Sequence, residues 1–279
     1  MITDCHVHIQ PQEMFKPAAL EAIKRKRNNY DQIAEFCRSP KAFLKHLDSV
    51  GVTRAVLINY VAPEIMGMTP EVNQYVADYV KEDPKRLIPC GSVHPRHTRN
   101  VLADMEKILR LGIRMIKIHP PHQLLYPNDY LRGVNELEII YRAAEANGIP
   151  VMFHTGTSIF PGARSRLGEP MTVDDVAVDF PDLRIVLAHG GRPLWMEQAF
   201  FLVRRFPHVF MDVSSIPPKA VLRYFPRLAE IADKVLYGSD WPSPGVRSMA
   251  ANARDFQALP LPTDALLKIM ETNARTLFP

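Results

Sequence analysis

Short apolar runs recur along the whole chain, and most of them are continuously apolar rather than alternating with polar residues. Eight runs are strand candidates: residues 1–5, 53–59, 87–93, 113–118, 150–153, 183–188, 209–213 and 234–238. They are rich in Val, Ile and Leu, which is typical of strands that are buried on both faces of a parallel sheet. The pattern therefore predicts one parallel sheet whose strands are distributed over the full length of the chain.

Segments with helical periodicity lie between these strands. Within residues 70–82, Val72, Tyr75, Val76 and Tyr79 follow the i, i+3, i+4, i+7 spacing of one helix face. The other predicted helices are residues 100–111, 134–147, 172–180, 195–206 and 219–231. Three glycines, each just before the next strand, are expected to end helices: Gly51, Gly112 and Gly148.

The strands and helices repeat at intervals of mostly about 25 to 35 residues, which is the size of a βαβ unit. Eight units without a break in composition predict a single-domain (β/α)8 TIM barrel over residues 1–279. A doubly wound open α/β sheet is the alternative. It fits less well because no G-x-G-x-x-G motif follows any strand.

Composition argues against several other classes of protein. The chain is 47% apolar, has a net charge of only +4, and contains three cysteines without metal-type spacing. It shows neither an apolar run of transmembrane length nor a secretory signal. We expect a cytoplasmic protein that binds no membrane and no nucleic acid, and we leave open that it forms a homodimer.

Two features of the first forty residues have alternative interpretations. The basic run Lys24-Arg25-Lys26-Arg27 lies in a helix-like stretch, and we interpret it as a solvated helix face rather than a polyanion site. The segment 10–40 is long for a loop that follows a barrel strand. Loops of this length often serve as lids or oligomer contacts.

Histidines accumulate at the predicted carboxyl ends of the strands, where (β/α)8 barrels carry their functional residues. His6 and His8 are two residues apart, so in a strand they point to the same side. Strand ends also carry His94, His119, His154 and His189, which makes six of the ten histidines, and Asp240 follows the last strand. This joint placement predicts a metal centre.

Imidazoles with one carboxylate suit Zn²⁺, and they also suit Mn²⁺, Fe²⁺ or Co²⁺. Such an ion lowers the pKa of a bound water toward ~7. Asp240 could bind the ion and accept a proton from the attacking water, while His189 could act as acid/base or hold the polarised carbonyl. Lys117 could be a plain ammonium that contacts a substrate carboxylate or a carbamylated lysine that bridges two metals, and we favour the ammonium.

The loops after the strands contain several candidate substrate-binding residues. Arginine pairs bidentately with carboxylates, and the loop residues of interest are Arg96, Arg99, Arg164, Arg166, Arg192 and His122. They suggest a small mono- or dicarboxylate substrate, although most could be ordinary surface residues. Trp241 could stack on a planar substrate or pack under a loop. We take Lys117, His119, Arg192 and Trp241 as the candidate substrate contacts.

Five motifs together resemble the amidohydrolase superfamily: His6-Val7-His8, Lys117-Ile118-His119-Pro120, Phe153-His154, Ala188-His189-Gly190 and Gly238-Ser239-Asp240-Trp241-Pro242. Within it they are similar to the amidohydrolase-related branch, which includes aminocarboxymuconate-semialdehyde decarboxylase-like enzymes. Residues 273–278 resemble the terminal motif of that branch. The resemblance implies a (β/α)8 barrel, a single metal held by His6, His8, His154 and Asp240, and His189 beside the reactive water.

The branch contains more than one kind of reaction, so three functions stay open. The leading expectation is a metal-dependent hydrolase that cleaves an amide, ester or lactone bond of a small carboxylated substrate, with one divalent ion, preferably Zn²⁺. The first alternative is a non-oxidative decarboxylase of an aromatic or muconate-type acid. The second alternative is a catalytically silent barrel that acts as a binding module.

Overall fold

A computed structural model describes residues 1–25 and 27–279, so Lys26 of the basic run lies outside the described residues. Eight strands form one sheet in chain order, and each pairs in parallel with the next. They are β1 Thr3–Val7, β2 Arg54–Ile58, β3 Leu87–Gly91, β4 Met115–Ile118, β5 Val151–His154, β6 Ile185–Ala188, β7 Val209–Asp212 and β8 Val235–Leu236.

The sheet closes because the chain after β8 returns to β1. The Cys5 N–H donates to the Tyr237 carbonyl at 2.9 Å, the His8 N–H donates to the Trp241 carbonyl at 2.8 Å, and Val7 and Trp241 form a parallel bridge. Closure of eight parallel strands in sequential order confirms the predicted (β/α)8 barrel and excludes the open doubly wound sheet.

The α-helices are α1 Pro17–Lys24, α2 Tyr30–Arg38, α3 Pro40–Val50, α4 Glu71–Tyr79, α5 Val101–Arg110, α6 Pro120–Gln123, α7 Asn135–Ala146, α8 Thr172–Asp179, α9 Met196–Arg205, α10 Pro218–Tyr224, α11 Met249–Gln257, α12 Thr263–Leu267 and α13 Asn273–Leu277. A π-helical turn, Lys268–Thr272, joins the last two. Gly51, Gly112 and Gly148 all have positive φ, as expected for residues that end helices. Within the described residues, no helix is long and apolar enough to cross a membrane.

Local sequence chemistry explains where several elements begin and end. The Ser39 hydroxyl accepts the Ala42 N–H at 3.2 Å and caps α3, and the Asn100 side chain caps α5 in the same way. The helix predicted over residues 219–231 is interrupted: α10 ends at Tyr224, and Leu228–Lys234 forms a 3₁₀ segment. Pro226 causes this break because proline lacks an N–H and disfavours helical backbone at the preceding residue.

The first strand and the segment after it also differ from the prediction. β1 extends to Val7, so His6 lies inside the strand rather than beyond its end. The predicted long loop 10–40 is largely helical and contains α1 and α2. These helices are amphipathic, and their apolar residues, among them Ile33 and Phe36, pack against the barrel.

Apolar side chains fill the barrel interior beneath its carboxyl end. Met115, Met152, Val186 and Leu236 belong to one buried cluster. Lys117 follows Met115 by two residues, and His154 follows Met152 by two, so each polar residue shares a side of the sheet with the methionine below it. The fold therefore places these polar residues at the carboxyl end of the barrel, next to a packed apolar interior.

Candidate active site

A cavity of about 250 Å³ opens at the carboxyl ends of the strands. Its titratable residues include His6, His8, Lys117, His119, His122, His154, His189, Arg192 and Asp240. Its apolar wall includes Phe15, Ile23 and Ile33 from the segment between β1 and α3. The structure therefore brings together the predicted metal ligands, His189, Lys117, His119 and Arg192, and it places the segment 10–40 beside the cavity.

Three of these residues meet at one point. His6, His189 and Asp240 each offer one ligand atom, and these atoms lie within 4.8 Å of one another. His8 is adjacent, with its Nε2 3.0 Å from Oδ1 of Asp240, while Nε2 of His6 lies 3.6 Å from the same oxygen. Such a group of imidazole nitrogens and one carboxylate oxygen is a donor set that zinc and related ions prefer.

Two of the ligand-type atoms in this group lack hydrogen bonds. Among the described residues, Nε2 of His6 and Oδ1 of Asp240 are buried and have no hydrogen bond of acceptable geometry. Buried polar atoms without partners are costly, and in native proteins they usually have a partner or a functional reason. A divalent cation at this point would satisfy both atoms, so the residues present fit a metal ion.

Asp212 and Ser214, which the sequence reasoning missed, orient the histidines from behind. Oδ2 of Asp212 lies 2.7 Å from Nδ1 of His6, and its Oδ1 accepts the His189 N–H at 2.9 Å. The Ser214 hydroxyl donates to Asp212 and lies 2.7 Å from Nδ1 of His189. Asp212 fixes the His6 proton on Nδ1 and leaves Nε2 as a free lone pair, as carboxylates behind metal-binding histidines do.

His154 lies next to the three-atom cluster rather than in it. Its Nδ1 is 3.1 Å from Nε2 of His189, and its Nε2 is 3.4 Å from the Thr157 carbonyl. The Ser214 hydroxyl donates its own proton to Asp212, so its oxygen can accept the Nδ1 proton of His189. Nε2 of His189 then has no proton, and the proton between His189 and His154 lies on Nδ1 of His154. This assignment leaves Nε2 of His154 with a lone pair.

Charge in the site is divided between anionic carboxylates and neutral imidazoles. Burial would raise the pKa of Asp240, but the nearby His8 and His6 rings hold that pKa well below its usual value. Burial lowers the pKa of His189 and His154 far below the usual value, and the charge of Arg192 lowers both further. Neutral imidazoles and an ionised carboxylate are the protonation states that metal binding requires.

Two cations of the cavity, Lys117 and Arg192, have buried donors without a hydrogen-bond partner among the described residues. Lys117 is fully buried with its Nζ unpaired, and the Nε of Arg192 is buried and unpaired as well. Burial lowers the pKa of Lys117 to about 8, although Asp212 partly offsets that effect. The amine is therefore still mostly protonated at neutral pH, and these donors favour an anionic ligand.

Three imidazoles form a stacked column in the cavity, which begins at His154 beside the cluster. His119 stacks on His122 with ring centroids 3.6 Å apart and on His154 at 3.9 Å. The Tyr60 hydroxyl lies 3.0 Å from Nδ1 of His122, and the Ser158 hydroxyl lies 2.7 Å from its Nε2. His122 is thus held at both ring nitrogens, whereas Nδ1 of His119 has no partner among the described residues.

The other candidate residues lie away from the cavity. Trp241 is buried behind it, stacked on Phe43 at 6.1 Å, because its backbone pairs with β1. Of its two predicted roles, the structure therefore places it in packing. Among the five candidate arginines, Arg192 alone lines the cavity. His94 also lies outside it.

The family described as Amidohydrolase matches residues 3–279, and the chain therefore belongs to the amidohydrolase family. The resemblance drawn from the sequence motifs is confirmed, and members of this family generally bind a divalent metal. Among curated proteins, none matches the chain in sequence.

Many solved structures share this fold, and three of them are described next. An uncharacterised TIM-barrel protein from Bordetella bronchiseptica is 24% identical, with a TM-score of 0.79 and coverage of 99% of this chain and 97% of that one. The 5-carboxyvanillate decarboxylase of Novosphingobium aromaticivorans, crystallised with manganese, is 16% identical, with a TM-score of 0.72 and coverage of 100% and 97%. The 4-oxalomesaconate hydratase of Rhodopseudomonas palustris is 18% identical, with a TM-score of 0.65 and coverage of 100% and 96%.

Proposed function

We propose that this protein is a metal-dependent hydrolase that cleaves an amide, ester or lactone bond in a small carboxylated substrate. One observation carries the proposal: unpaired ligand atoms of His6 and Asp240 lie beside a neutral His189, in a cavity that also contains an unpaired lysine amine. This arrangement combines a place for a metal, an acid/base group and a site for a substrate anion in one enclosed space.

The metal would be held by His6, His8, His154 and Asp240. Zn²⁺ is our preferred ion because the donors are imidazole nitrogens and one carboxylate oxygen, although Mn²⁺, Fe²⁺ and Co²⁺ accept the same set. When bound, such an ion supplies an activated water at neutral pH and polarises a carbonyl group.

The protein's own residues would then handle the protons. Asp240 is ionised at neutral pH and is placed to accept a proton from the attacking water. His189 is neutral, and Ser214 and Asp212 fix its ring, so it can take up a proton and deliver it to the leaving group. A fixed general acid/base of this kind typically contributes about 10²- to 10⁴-fold to the rate.

The cations in the cavity support a carboxylated substrate. Lys117 as a plain ammonium and Arg192 as a guanidinium would bind a carboxylate, and His119 would offer a ring nitrogen to a further substrate oxygen. The cavity volume of about 250 Å³ is below the range of about 300 to 1,000 Å³ that is typical of sites for drug-sized ligands. A substrate with a single ring or a short chain therefore fits best.

Non-oxidative decarboxylation of an aromatic or muconate-type acid is the second candidate. It is favoured by the similarity in fold to the manganese-containing 5-carboxyvanillate decarboxylase and by the same pair of cations. The reaction would use the same acid/base group, but it releases CO2 and adds no water to the product.

The experiment is turnover of a panel of small carboxylated amides, esters, lactones and aromatic acids in ¹⁸O-labelled water. Hydrolysis should incorporate one labelled oxygen and should fall by at least about 10²-fold in His189→Asn. Release of CO2 without label in the other product would support the decarboxylase instead. A chain that binds no Zn²⁺ or Mn²⁺ and turns over no substrate would contradict both and would favour the silent binding module.

A further inference from the structure

A second group of metal-type side chains lies outside the cavity, in the loops that follow β2 and β3. Glu64, His94 and His97 each present one ligand atom, and these three atoms lie within 4.8 Å of one another. None of the three residues lines the cavity that contains His6 and Asp240. The proposed hydrolytic function makes no use of them.

Two tight turns fix these side chains in place. Glu64 lies in a turn in which the Met66 N–H donates to the Ala62 carbonyl at 2.9 Å. His94 and His97 are the first and last residues of one β-turn, because the His97 N–H donates to the His94 carbonyl at 3.0 Å. Pro95 is in the second position of that turn, where proline is favoured. The backbone therefore positions both imidazoles before any ligand is present.

One buried ring nitrogen in this group has no hydrogen-bond partner among the described residues. His94 is 3% exposed, and its Nε2 has no hydrogen-bond partner among the described residues. Oε2 of Glu64 lies 3.8 Å from it, which is too long for a hydrogen bond. The other carboxylate oxygen of Glu64 contacts Nε2 of His97, and the rings of His94 and His97 meet edge to face at 4.5 Å.

We propose that Glu64, His94 and His97 bind a second divalent transition-metal ion, of the Zn²⁺ class, that links the loops after β2 and β3. Two imidazoles and one carboxylate form an established donor set that leaves coordination positions for water. The buried Nε2 of His94 would gain the partner that the protein alone does not give it.

Metal binding at His94 would cost one existing hydrogen bond. Coordination through Nε2 requires the proton of His94 to lie on Nδ1, which now accepts the Arg96 N–H at 3.2 Å. That hydrogen bond, at the long end of the usual range, would be lost, and the metal contact at Nε2 would have to outweigh it.

The position of the site suggests a structural role beside the cavity. Lys16, at the start of α1, donates its amine to the backbone carbonyl of Glu64. An ion that fixes Glu64 would therefore also restrain the segment that forms the apolar wall of the cavity. The proposal does not depend on hydrolysis, because it concerns residues outside the catalytic cavity.

The test is the number of Zn²⁺ ions bound per chain, measured by elemental analysis and calorimetric titration of the full-length protein. Wild type should bind two ions, and Glu64→Gln and His97→Ala should each weaken the second by at least about tenfold. Both residues are partly exposed, so these variants should keep the wild-type circular dichroism. Glu106→Gln, at an exposed glutamate on α5, is the matched control and should still bind two.

Asp240→Asn separates this proposal from the proposed function, because it should weaken the central ion and leave the second in place. The proposal is overturned if the wild-type protein binds no ion whose affinity falls in Glu64→Gln and His97→Ala, whether or not an ion binds at Asp240. It is equally overturned if both variants bind two ions as tightly as wild type, because Glu64 and His97 would then form only an ion pair.

Discussion

Replacing Lys117 with methionine should stabilise the fold while it removes substrate binding. The amine is fully buried, has no hydrogen-bond partner among the described residues, and has its pKa lowered from 10.5 to about 8. At 1.36 kcal/mol per pKa unit, this shift corresponds to a cost of about 3 kcal/mol for burying the charged amine. Methionine has a flexible side chain of similar length without a charge, so Lys117→Met should recover most of that free energy.

The pH dependence gives this prediction a definite sign. Below pH 8 the amine is charged in both the folded and the unfolded protein, so wild type bears the full cost. Between pH 8 and 10.5 the unfolded chain binds a proton that the folded chain does not, so the contribution of Lys117 to stability improves as pH rises. The advantage of the variant should therefore decrease from about 3 kcal/mol at pH 7 to near zero at about pH 11.

Urea unfolding of both proteins at pH 7 and pH 10 measures this difference, and kcat/KM on a carboxylated substrate measures the loss of binding. Lys45→Met, at an exposed position on α3, is the matched control and should change stability by less than about 0.5 kcal/mol at either pH. The assignment of an unpaired buried ammonium would be refuted if Lys117→Met were less stable than wild type. It would also be refuted if the increase in the free energy of unfolding were the same at pH 7 and pH 10.

Three further changes test the parts of the site separately. Asp212→Asn should lower the affinity for the central metal ion by about 10- to 100-fold, because Nδ1 of His6 loses its charged partner. Chelator competition measures this affinity, and an unchanged value would show that Asp212 does not orient His6. Arg192→Gln should raise KM for a carboxylated substrate by about 10- to 100-fold with a smaller effect on kcat, since a charge-assisted hydrogen bond contributes about 1.5–3 kcal/mol; an equal KM would remove Arg192 from substrate binding. Gly238→Ala should destabilise the fold by about 1–3 kcal/mol and weaken the metal, because the new Cβ would lie 2.8 Å from Cβ of His6. Gly245→Ala, whose Cβ would meet nothing within 4 Å, should do neither.

The barrel could be predicted because its signal is repeated along the chain. Each buried strand is a short, continuously apolar run, and eight of them with helical segments between leave few other topologies. The errors came from single residues that override the periodic signal. Pro226 interrupts the predicted helix over residues 219–231, and β1 continues through His6 because its polar side chain faces a polar cavity rather than solvent.

The site could be predicted only in part, because the sequence shows which strand ends carry histidine but not what lies behind them. Asp212 is the last residue of β7 and Ser214 follows two residues later, a pair with no distinctive spacing, and their role depends on contacts with His6 and His189. Trp241 had two plausible roles, and the choice depended on its contact with Phe43, about 200 residues earlier. The cytoplasmic location and the homodimer stay predictions.

Anomalous diffraction at the zinc absorption edge, from crystals grown with Zn²⁺, tests the central claim most directly. We expect a peak about 2.0–2.2 Å from ring nitrogens of His6, His8 and His154 and from a carboxylate oxygen of Asp240. A Zn²⁺-saturated crystal with no anomalous peak at these four residues would contradict the account, whether or not a peak lies at Glu64, His94 and His97.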